Sequence, residues 1–179
     1  MTDPAVVEQI AGALLAAPAR AGRTRVVAID GRAGSGKSTL ARALAERLAA
    51  PIVDLELIYP GWDGLEAGVE LLVERVLTPL ADEHDAQVPR YDWEAGRFGE
   101  PLLLEPPALL IVEGVGAGAQ AAAHFTSTLV WVELANDERR RRAIARDGDV
   151  FAPHWQRWAA QEETHYAREL TAARADLVL

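Results

Sequence analysis

Two kinds of apolar pattern alternate along the chain: short continuous runs, and longer stretches in which apolar residues recur every three or four positions. Short apolar runs bounded by polar residues are typical of strands that are covered on both faces of a sheet. Five such runs are Arg25–Ile29, Pro51–Val53, Leu109–Val112, Leu129–Val132 and Leu177–Leu179. The sequence therefore predicts five buried strands.

Helical periodicity fills the segments before and between these runs. Asp3 as cap and Pro4 in the first turn predict an initial helix whose buried face carries Val7, Ile10 and Leu14. Asn136–Glu138 predicts the capped, charged start of another helix, which runs through an arginine-rich stretch. The remaining apolar stripes are Leu40, Leu44 and Leu48; Leu65, Val69, Leu72, Val76 and Leu80; and Trp155, Trp158, Tyr166 and Leu170.

Strands that alternate with helices predict an α/β fold with right-handed crossovers, in which a five-stranded parallel sheet has helices on both faces. We expect a single domain over residues 1–179, with an insert at about 55–107. The polar, aromatic and proline-rich part of that insert, His84–Pro107, is expected to form a lobe over the sheet edge rather than a linker. Ligands of such sheets bind beyond the carboxyl ends of the strands.

Composition narrows the class of protein further. Half of the 179 residues are hydrophobic, and 18 basic against 27 acidic residues give a net charge of −9. This acidity disfavours binding to nucleic acid or to anionic membranes. The chain has no cysteine, which excludes disulfides and thiolate sites, and its four histidines show no metal-binding spacing. No apolar run is long enough to span a bilayer and acidic residues precede the first one, so we expect a cytoplasmic protein.

Seventeen of the 18 basic residues are arginine, and the single lysine, Lys37, lies in Gly31–Thr39. This segment fits Gly-x4-Gly-Lys-[Ser/Thr], a phosphate-binding loop, and it stands between a predicted strand and a predicted helix. Backbone N–H groups and the helix N-terminus cradle the phosphates of ATP, Lys37 bridges phosphate oxygens, and the Ser38 hydroxyl binds Mg²⁺. The candidate nucleotide contacts are Gly31, Ala33, Gly34, Ser35, Gly36, Lys37, Ser38 and Thr39.

Two carboxylates follow predicted strands and therefore reach the same sheet edge as the loop. Glu113 is a candidate metal residue, and Asp54 is a candidate general base for an acceptor hydroxyl. Either could instead cap the following turn. Asp30, next to the loop, is expected to be a turn residue rather than a ligand.

The arginines from Arg139 to Arg142 and Arg146 form the dense positive cluster of the chain. A solvated helix face explains most such runs. Here the position favours a lid, at about 139–155, whose arginines stabilise the transferring phosphate; Arg142 and Arg146 are the chosen pair because they share one helical face.

Aromatic residues are scarce but concentrated in the insert. Five of the eleven are Tyr59, Trp62, Tyr91, Trp93 and Phe98. They predict either a wall for a flat acceptor or a small satellite core.

The chain resembles the uridine kinase branch of small P-loop nucleoside kinases. The residues that carry the likeness are Gly31–Thr39, Asp54 with Tyr59, Pro89–Asp92, Ile111–Gly114, and Arg142 with Arg146 and Asp147. The resemblance implies a three-layer P-loop NTPase fold with a small lid, and ATP and Mg²⁺ as cofactors. It makes Asp54 the base, Glu113 the residue that assists Mg²⁺, Arg142 and Arg146 phosphate-binding groups, and Tyr91 and Asp63 part of the nucleoside pocket.

Departures from the family pattern affect the acceptor side. The segment Asp54–Tyr59 is looser than the usual acidic pair followed by Phe-Tyr, and the arginine–glycine–arginine step after the lid helix is replaced by Gly148–Trp155. The candidate acceptor contacts are Tyr59, Trp62, Asp63, Tyr91, Trp93 and Arg97. Phosphoryl transfer is therefore better supported than uridine as the acceptor.

The sequence predicts a kinase that moves the γ-phosphoryl group of ATP to a hydroxyl of a small molecule such as uridine, in a monomer or homodimer. A P-loop regulatory protein or ATPase without an acceptor is the alternative, as is a binding protein that has lost catalysis. A GTPase is excluded because its Asn-Lys-x-Asp motif needs a second lysine.

Overall fold

The computed structural model describes the backbone of residues 3–179 and, within that range, every side chain except those of residues 147, 149 and 150. In chain order the strands are β1 (Arg25–Asp30), β2 (Ile52–Asp54), β3 (Ala86–Val88), β4 (Tyr91–Asp92), β5 (Arg97–Phe98), β6 (Leu102–Leu104), β7 (Leu109–Glu113), β8 (Thr128–Trp131) and β9 (Leu177–Val178). The helices are α1 (Pro4–Ala16), α2 (Lys37–Leu48), α3 (Leu65–Leu72), α4 (Thr78–Ala81), α5 (Asn136–Phe151), α6 (Trp155–Glu169) and α7 (Thr171–Arg174).

The central sheet has five strands in the order β2-β7-β1-β8-β9, and every neighbouring pair is parallel. The five predicted strands and the parallel sheet are therefore confirmed. Register places Glu113 at the end of β7 opposite Ile29 of β1 on one side and Asp54 of β2 on the other. The phosphate loop follows β1, and the two candidate carboxylates end β7 and β2. All three therefore lie side by side at one edge of the sheet.

Helices cover both faces of the sheet, as predicted, because β1 is apolar on both of its faces. Val27 and Ile29 pack with α1 and α2, whereas Val26 and Ala28 pack with the helices of the other layer. The first layer buries Val7, Ile10, Leu14, Leu40 and Leu44. The second buries Leu65, Val69, Leu72, Val76 and Leu80 and the aromatic residues of α6. Within residues 3–179 no helix has both the length and the apolar character needed to cross a membrane.

The insert after β2 is built from helix and from small antiparallel pairs. Helix α3 continues through a π-helical turn, Val73–Leu77, into α4. Strand β3 then pairs with β6, and β4 pairs with β5, both antiparallel. Ala86 and Val88 of β3 are buried in the second core layer, whereas residues 92–103 are exposed. Only the start of the predicted lobe therefore packs on the core.

Two local predictions in the C-terminal part are wrong. Asn136 does not cap α5: it is the first helical residue, and its side chain accepts a hydrogen bond from Arg139 instead. Leu170 does not belong to the buried stripe of α6: it ends that helix in the left-handed region, at φ 52°, and its side chain is exposed.

A kink at Gly148, with φ 56° and ψ −136°, divides the predicted lid segment within α5.

Candidate active site

The loop between β1 and α2 is tightly packed on one side and open on the other. Gly31 and Gly34 have φ values of +145° and +79°, and a Cβ atom there would lie 2.3 Å from the Val132 carbonyl oxygen and 2.2 Å from that of Arg139. Only glycine fits these two positions. Gly36 caps α2 with no side-chain hydrogen bond to the helix, and a Cβ there would meet nothing within 4 Å. The first amides of α2 therefore remain available to an anion.

Two polar side chains of the loop, Lys37 and Ser35, are buried. Lys37 begins α2, is largely buried, and donates from Nζ to the Arg32 carbonyl oxygen at 3.1 Å. The buried Ser35 hydroxyl has no hydrogen-bond partner among the described residues. This hydroxyl lies on the packed side of the loop, 3.1 Å from the position of a Cβ on Gly31. Neither Gly31 nor Ser35 lines the cleft described below, so their predicted nucleotide contacts stay predictions.

Glu113 and Asp54 form a close pair of carboxylates at the ends of β7 and β2. Burial, and then the charge of Asp54, raise the pKa of Glu113 to about 7, while Lys37 and a hydrogen bond from Ser38 act in the opposite direction. Burial also raises the pKa of Asp54, against a hydrogen bond of 2.8 Å from the Glu56 amide to Asp54 Oδ1. Asp54 thus does cap the turn Leu55–Leu57, and its position beside Glu113 is compatible with the proposed chemical role as well.

These residues fit a magnesium ion. The Ser38 hydroxyl is hydrogen-bonded to the Glu113 carboxylate, and both groups have oxygen atoms that can bind a metal. Asp54 lies in register beside Glu113. Among the side chains that the structure describes, which leave out those of residues 147, 149 and 150, no group of three or more His, Asp or Glu could hold a metal by itself. That composition suits Mg²⁺ in a nucleotide site, because one or two protein groups bind it together with phosphates and water.

The raised pKa of Glu113 predicts how stability changes with pH when no metal is present. The folded protein keeps a proton on Glu113 up to about pH 7, whereas an unfolded glutamate loses it near pH 4.5, so the free energy of unfolding falls as pH rises through that window. Urea denaturation in EDTA at pH 5 and pH 8 should show Glu113→Gln gaining on the order of 2 kcal/mol relative to the wild type at the higher pH. An equal difference at both pH values would contradict the buried-pair assignment.

One cleft of about 520 Å³ opens over the loop and the carboxyl ends of the strands. Its lining combines loop residues, a carboxylate, arginines and aromatic rings. The predicted site residues in the lining are Ala33, Gly34, Gly36, Lys37, Ser38, Thr39, Tyr59, Trp62, Trp93, Glu113, Arg142 and Arg146. Asp54 is adjacent to Glu113 but is not itself part of the lining.

Aromatic rings form the wall of this cleft opposite the loop. The ring of Trp62 stacks on Phe151 of α5, with centroids 5.5 Å apart and planes at 15°. Trp93 lies 4.8 Å from Trp62 and donates its indole N–H to the Glu56 carbonyl oxygen at 2.9 Å. Trp62, Trp93 and Phe151 therefore pack on one another and line the cleft. The wall for a flat acceptor stays a prediction.

The other predicted acceptor contacts occupy different places. Tyr59 is a buried floor residue whose hydroxyl donates to the Val115 carbonyl oxygen at 2.7 Å. Tyr91 packs edge-on against Trp93 and does not line the cleft. Asp63 pairs with Arg157 of α6, and Arg97 is exposed on β5. Asp63 and Arg97 also lie outside the cleft lining.

The arginine cluster divides into three sets, of which Arg140 and Arg141 are exposed and lie outside the cleft lining. Arg142 and Arg146 face the cleft, where their guanidinium groups contact Glu138 at 2.8 Å and Glu56 at 2.9 Å. Arg139, in contrast, is buried against the back of the phosphate loop. The side chain of Asp147, which belongs to the same motif, lies outside the described residues.

Sequence reasoning missed a buried polar network behind the loop. Asp30 is fully buried and accepts hydrogen bonds from the amides of Gly31, Gly116 and Gly118 and from the Tyr166 hydroxyl, at 2.6–2.9 Å. The residue expected to be a turn residue therefore ties together the phosphate loop, the loop after β7, and α6. One signal in the sequence could have indicated this network: some polar residues of α6 recur with the same helical spacing as its buried aromatic residues.

Comparison with known proteins agrees with this geometry. The cytidylate kinase family model matches residues 27–92. A cytidylate kinase of Pseudomonas aeruginosa is 36% identical over 107 residues, which cover 57% of this chain and 45% of that enzyme. A cytidylate kinase of Ignicoccus hospitalis is 28% identical over 143 residues, which cover 80% of this chain and 77% of that enzyme. A solved structure described as a possible uridine kinase from Bacillus stearothermophilus superposes with a TM-score of 0.70 at 21% identity, covering 97% of this chain and 96% of that one.

The chain has the same fold as the solved structure described as a possible uridine kinase. This confirms the predicted fold class and the resemblance to small P-loop nucleoside kinases. The chain spans less than half the length of several curated relatives that it matches.

Proposed function

We propose that this protein is a kinase that uses ATP and Mg²⁺ to phosphorylate a hydroxyl group of a small molecule with a flat ring, such as a nucleoside. One observation carries the proposal: the phosphate loop, the carboxylate Glu113, two arginines and an aromatic wall line a single cleft. The cytidylate kinase relatives and the uridine kinase-like structure support phosphoryl transfer at such a site.

The phosphate loop would hold the polyphosphate of ATP. Amides at the start of α2 and the Lys37 ammonium group supply donors and positive charge at one place. Ser38 and Glu113 would hold Mg²⁺, which supplies neutralisation of the charge on the phosphate oxygens. Arg142 and Arg146 would move from Glu138 and Glu56 to the transferring group as it develops charge.

Asp54 would accept the proton of the acceptor hydroxyl. Burial raises its pKa towards neutrality, which makes an ionised carboxylate a stronger base. Since Asp54 is beside the cleft and not in its lining, the hydroxyl must reach it through one water or after closure of the lid.

The charge around the acceptor side favours a neutral hydroxyl over an anionic phosphate. Three acidic residues, Asp54, Glu56 and Glu113, lie together there. A nucleoside monophosphate is the second candidate acceptor, because the matching family model and relatives are cytidylate kinases.

An acceptor panel tests the proposal. ADP release should be measured with uridine, cytidine, adenosine, UMP, CMP and simple sugars, each against a reaction without acceptor. The proposal expects ADP release that depends on a nucleoside and exceeds that with the matching nucleotide. Preference for CMP or UMP would replace the hydroxyl acceptor by a phosphate, and ADP release independent of any acceptor would favour an ATPase.

Tryptophan fluorescence should report the acceptor directly, because Trp62 and Trp93 line the cleft. Titration of the active acceptor should change the emission of the wild type. Trp62→Phe and Trp93→Phe should each reduce that change, and Trp158, which also lines the cleft, accounts for the remainder. Trp131→Phe is the matched control, since Trp131 is a buried sheet residue that does not line the cleft. Equal responses in all three variants would remove the aromatic wall from the acceptor site.

A further inference from the structure

Helix α6 presents a buried carboxylate to the back of the phosphate loop. Glu162 is 1% exposed. Its Oε1 accepts hydrogen bonds from the Ala33 amide at 2.7 Å and from the Trp158 indole at 3.1 Å. A charged group is costly to bury unless its partners are fixed, so this carboxylate has a defined task at the loop.

The peptide groups on both sides of Ala33 are held by charged side chains. Its N–H donates to Glu162, and its C=O accepts from Arg139 at 3.1 Å. Arg139 is itself fixed by the Leu134 carbonyl oxygen and by Asn136, at 3.1 and 2.8 Å. Gly34, the next loop residue, packs against the Arg139 backbone so closely that a Cβ would not fit. The loop is thus clamped between the start of α5 and the middle of α6.

Electrostatic contacts match this clamp. Burial raises the pKa of Glu162, and the Ala33 amide, Lys37, Arg139 and Arg32 act in the opposite direction. Arg139 and Arg32 lie 3.9 and 4.0 Å from Glu162 Oε2. The positive charges that favour an ionised Glu162 therefore include two loop residues, one of which is the lysine assigned to the phosphates.

We infer that Glu162 is a positioning residue for nucleotide binding: its carboxylate holds Ala33 and Gly34 in the phosphate-binding conformation before ATP arrives. A loop ordered in advance loses less conformational freedom on binding, so the clamp increases ATP affinity without touching the ligand. The inference rests on the proposed function, because it concerns the same ATP site.

The test compares Glu162→Ala with Glu162→Gln by calorimetric titration of a non-hydrolysable ATP analogue with Mg²⁺. Loss of a hydrogen bond to a charged group should raise the Kd of the Ala variant roughly 10- to 100-fold. The amide oxygen of Gln can still accept the Ala33 N–H, so this variant should recover most of the affinity. In steady-state assays of the active acceptor the KM for ATP should rise, while the KM for the acceptor stays unchanged.

Glu163→Ala is the matched control. Glu163 is the neighbouring carboxylate, is exposed, and contacts Arg32 without reaching the Ala33 amide. Its Kd for the analogue should stay within about twofold of the wild type, by the weakness of exposed ion pairs. Two results would overturn the inference: a folded Glu162→Ala variant with wild-type ATP affinity, or Gln and Ala variants with equal affinity loss. If Ala does not fold, Glu162→Met takes its place, because methionine fills a similar space and its thioether is only a weak hydrogen-bond acceptor; a folded Met variant with wild-type ATP affinity would overturn the inference in the same way. Absence of binding by the wild type would contradict the proposed function instead.

Discussion

Replacement of Lys37 by alanine should lower kcat/KM at least about 10³-fold, while the far-ultraviolet circular dichroism spectrum stays unchanged. The expectation follows from position, because Lys37 is the first residue of α2 and is held over the phosphate loop by the Arg32 carbonyl oxygen. No other lysine exists in the chain to replace it. Helix α2 keeps its buried face, Leu40, Ala41 and Leu44, so the fold does not depend on the ammonium group.

Arg47→Ala provides the control for that loss. Arg47 is a cation in the last turn of the same helix, exposed and paired with Glu8, and it does not line the cleft. Its removal should leave kcat/KM within about twofold of the wild type, since exposed ion pairs contribute little. A Lys37→Ala protein that keeps full activity would contradict the assignment of the loop as the phosphate site.

Replacement of Asp54 by asparagine should lower kcat by roughly 10²- to 10⁴-fold with little change in ATP affinity. Asparagine keeps an oxygen that can accept the Glu56 amide hydrogen bond, which caps the turn after β2. The substitution therefore removes the base and preserves the local structure. In the wild type, kcat should fall as pH drops through the raised pKa of Asp54, because the protonated acid cannot accept the hydroxyl proton.

The steady-state pH profile and a matched variant separate the chemical role from the structural one. Asp82→Asn changes a carboxylate after α4 that does not line the cleft and should retain wild-type kcat. If Asp54→Asn also retains wild-type kcat, Asp54 is only the cap of the turn Leu55–Leu57. If both variants lose thermal stability equally and only Asp54→Asn loses kcat, the base assignment is supported.

The sheet and its ligand edge could be predicted from sequence because the signals are local. Apolar runs predict β1, β2, β7, β8 and β9, and the glycine pattern of Gly31–Thr39 predicts the turn between β1 and α2. Once the strands are parallel, their carboxyl ends must meet, so the proximity of Asp54 and Glu113 follows without further information.

Contacts that depend on three-dimensional packing could not be predicted in the same way. Asp30 and Glu162 are ordinary acidic residues in the sequence, and their roles arise because α6 packs against the phosphate loop from 129 or more positions away. The arginine run shows the same limit: helical spacing placed Arg142 and Arg146 on one face, but it gave no indication that Arg139 turns into the core. Acceptor contacts were least predictable, because Asp63 pairs with Arg157 of α6 and Arg97 is exposed on β5, and neither residue lines the cleft.

Phosphorus NMR of the protein mixed with ATP, Mg²⁺ and a nucleoside tests the transfer itself. The account predicts that the γ-phosphate resonance of ATP declines while a phosphomonoester resonance grows in equal amount, and that Lys37→Ala abolishes both changes. Growth of inorganic phosphate in place of the monoester, or a spectrum that does not change with any nucleoside, would contradict it.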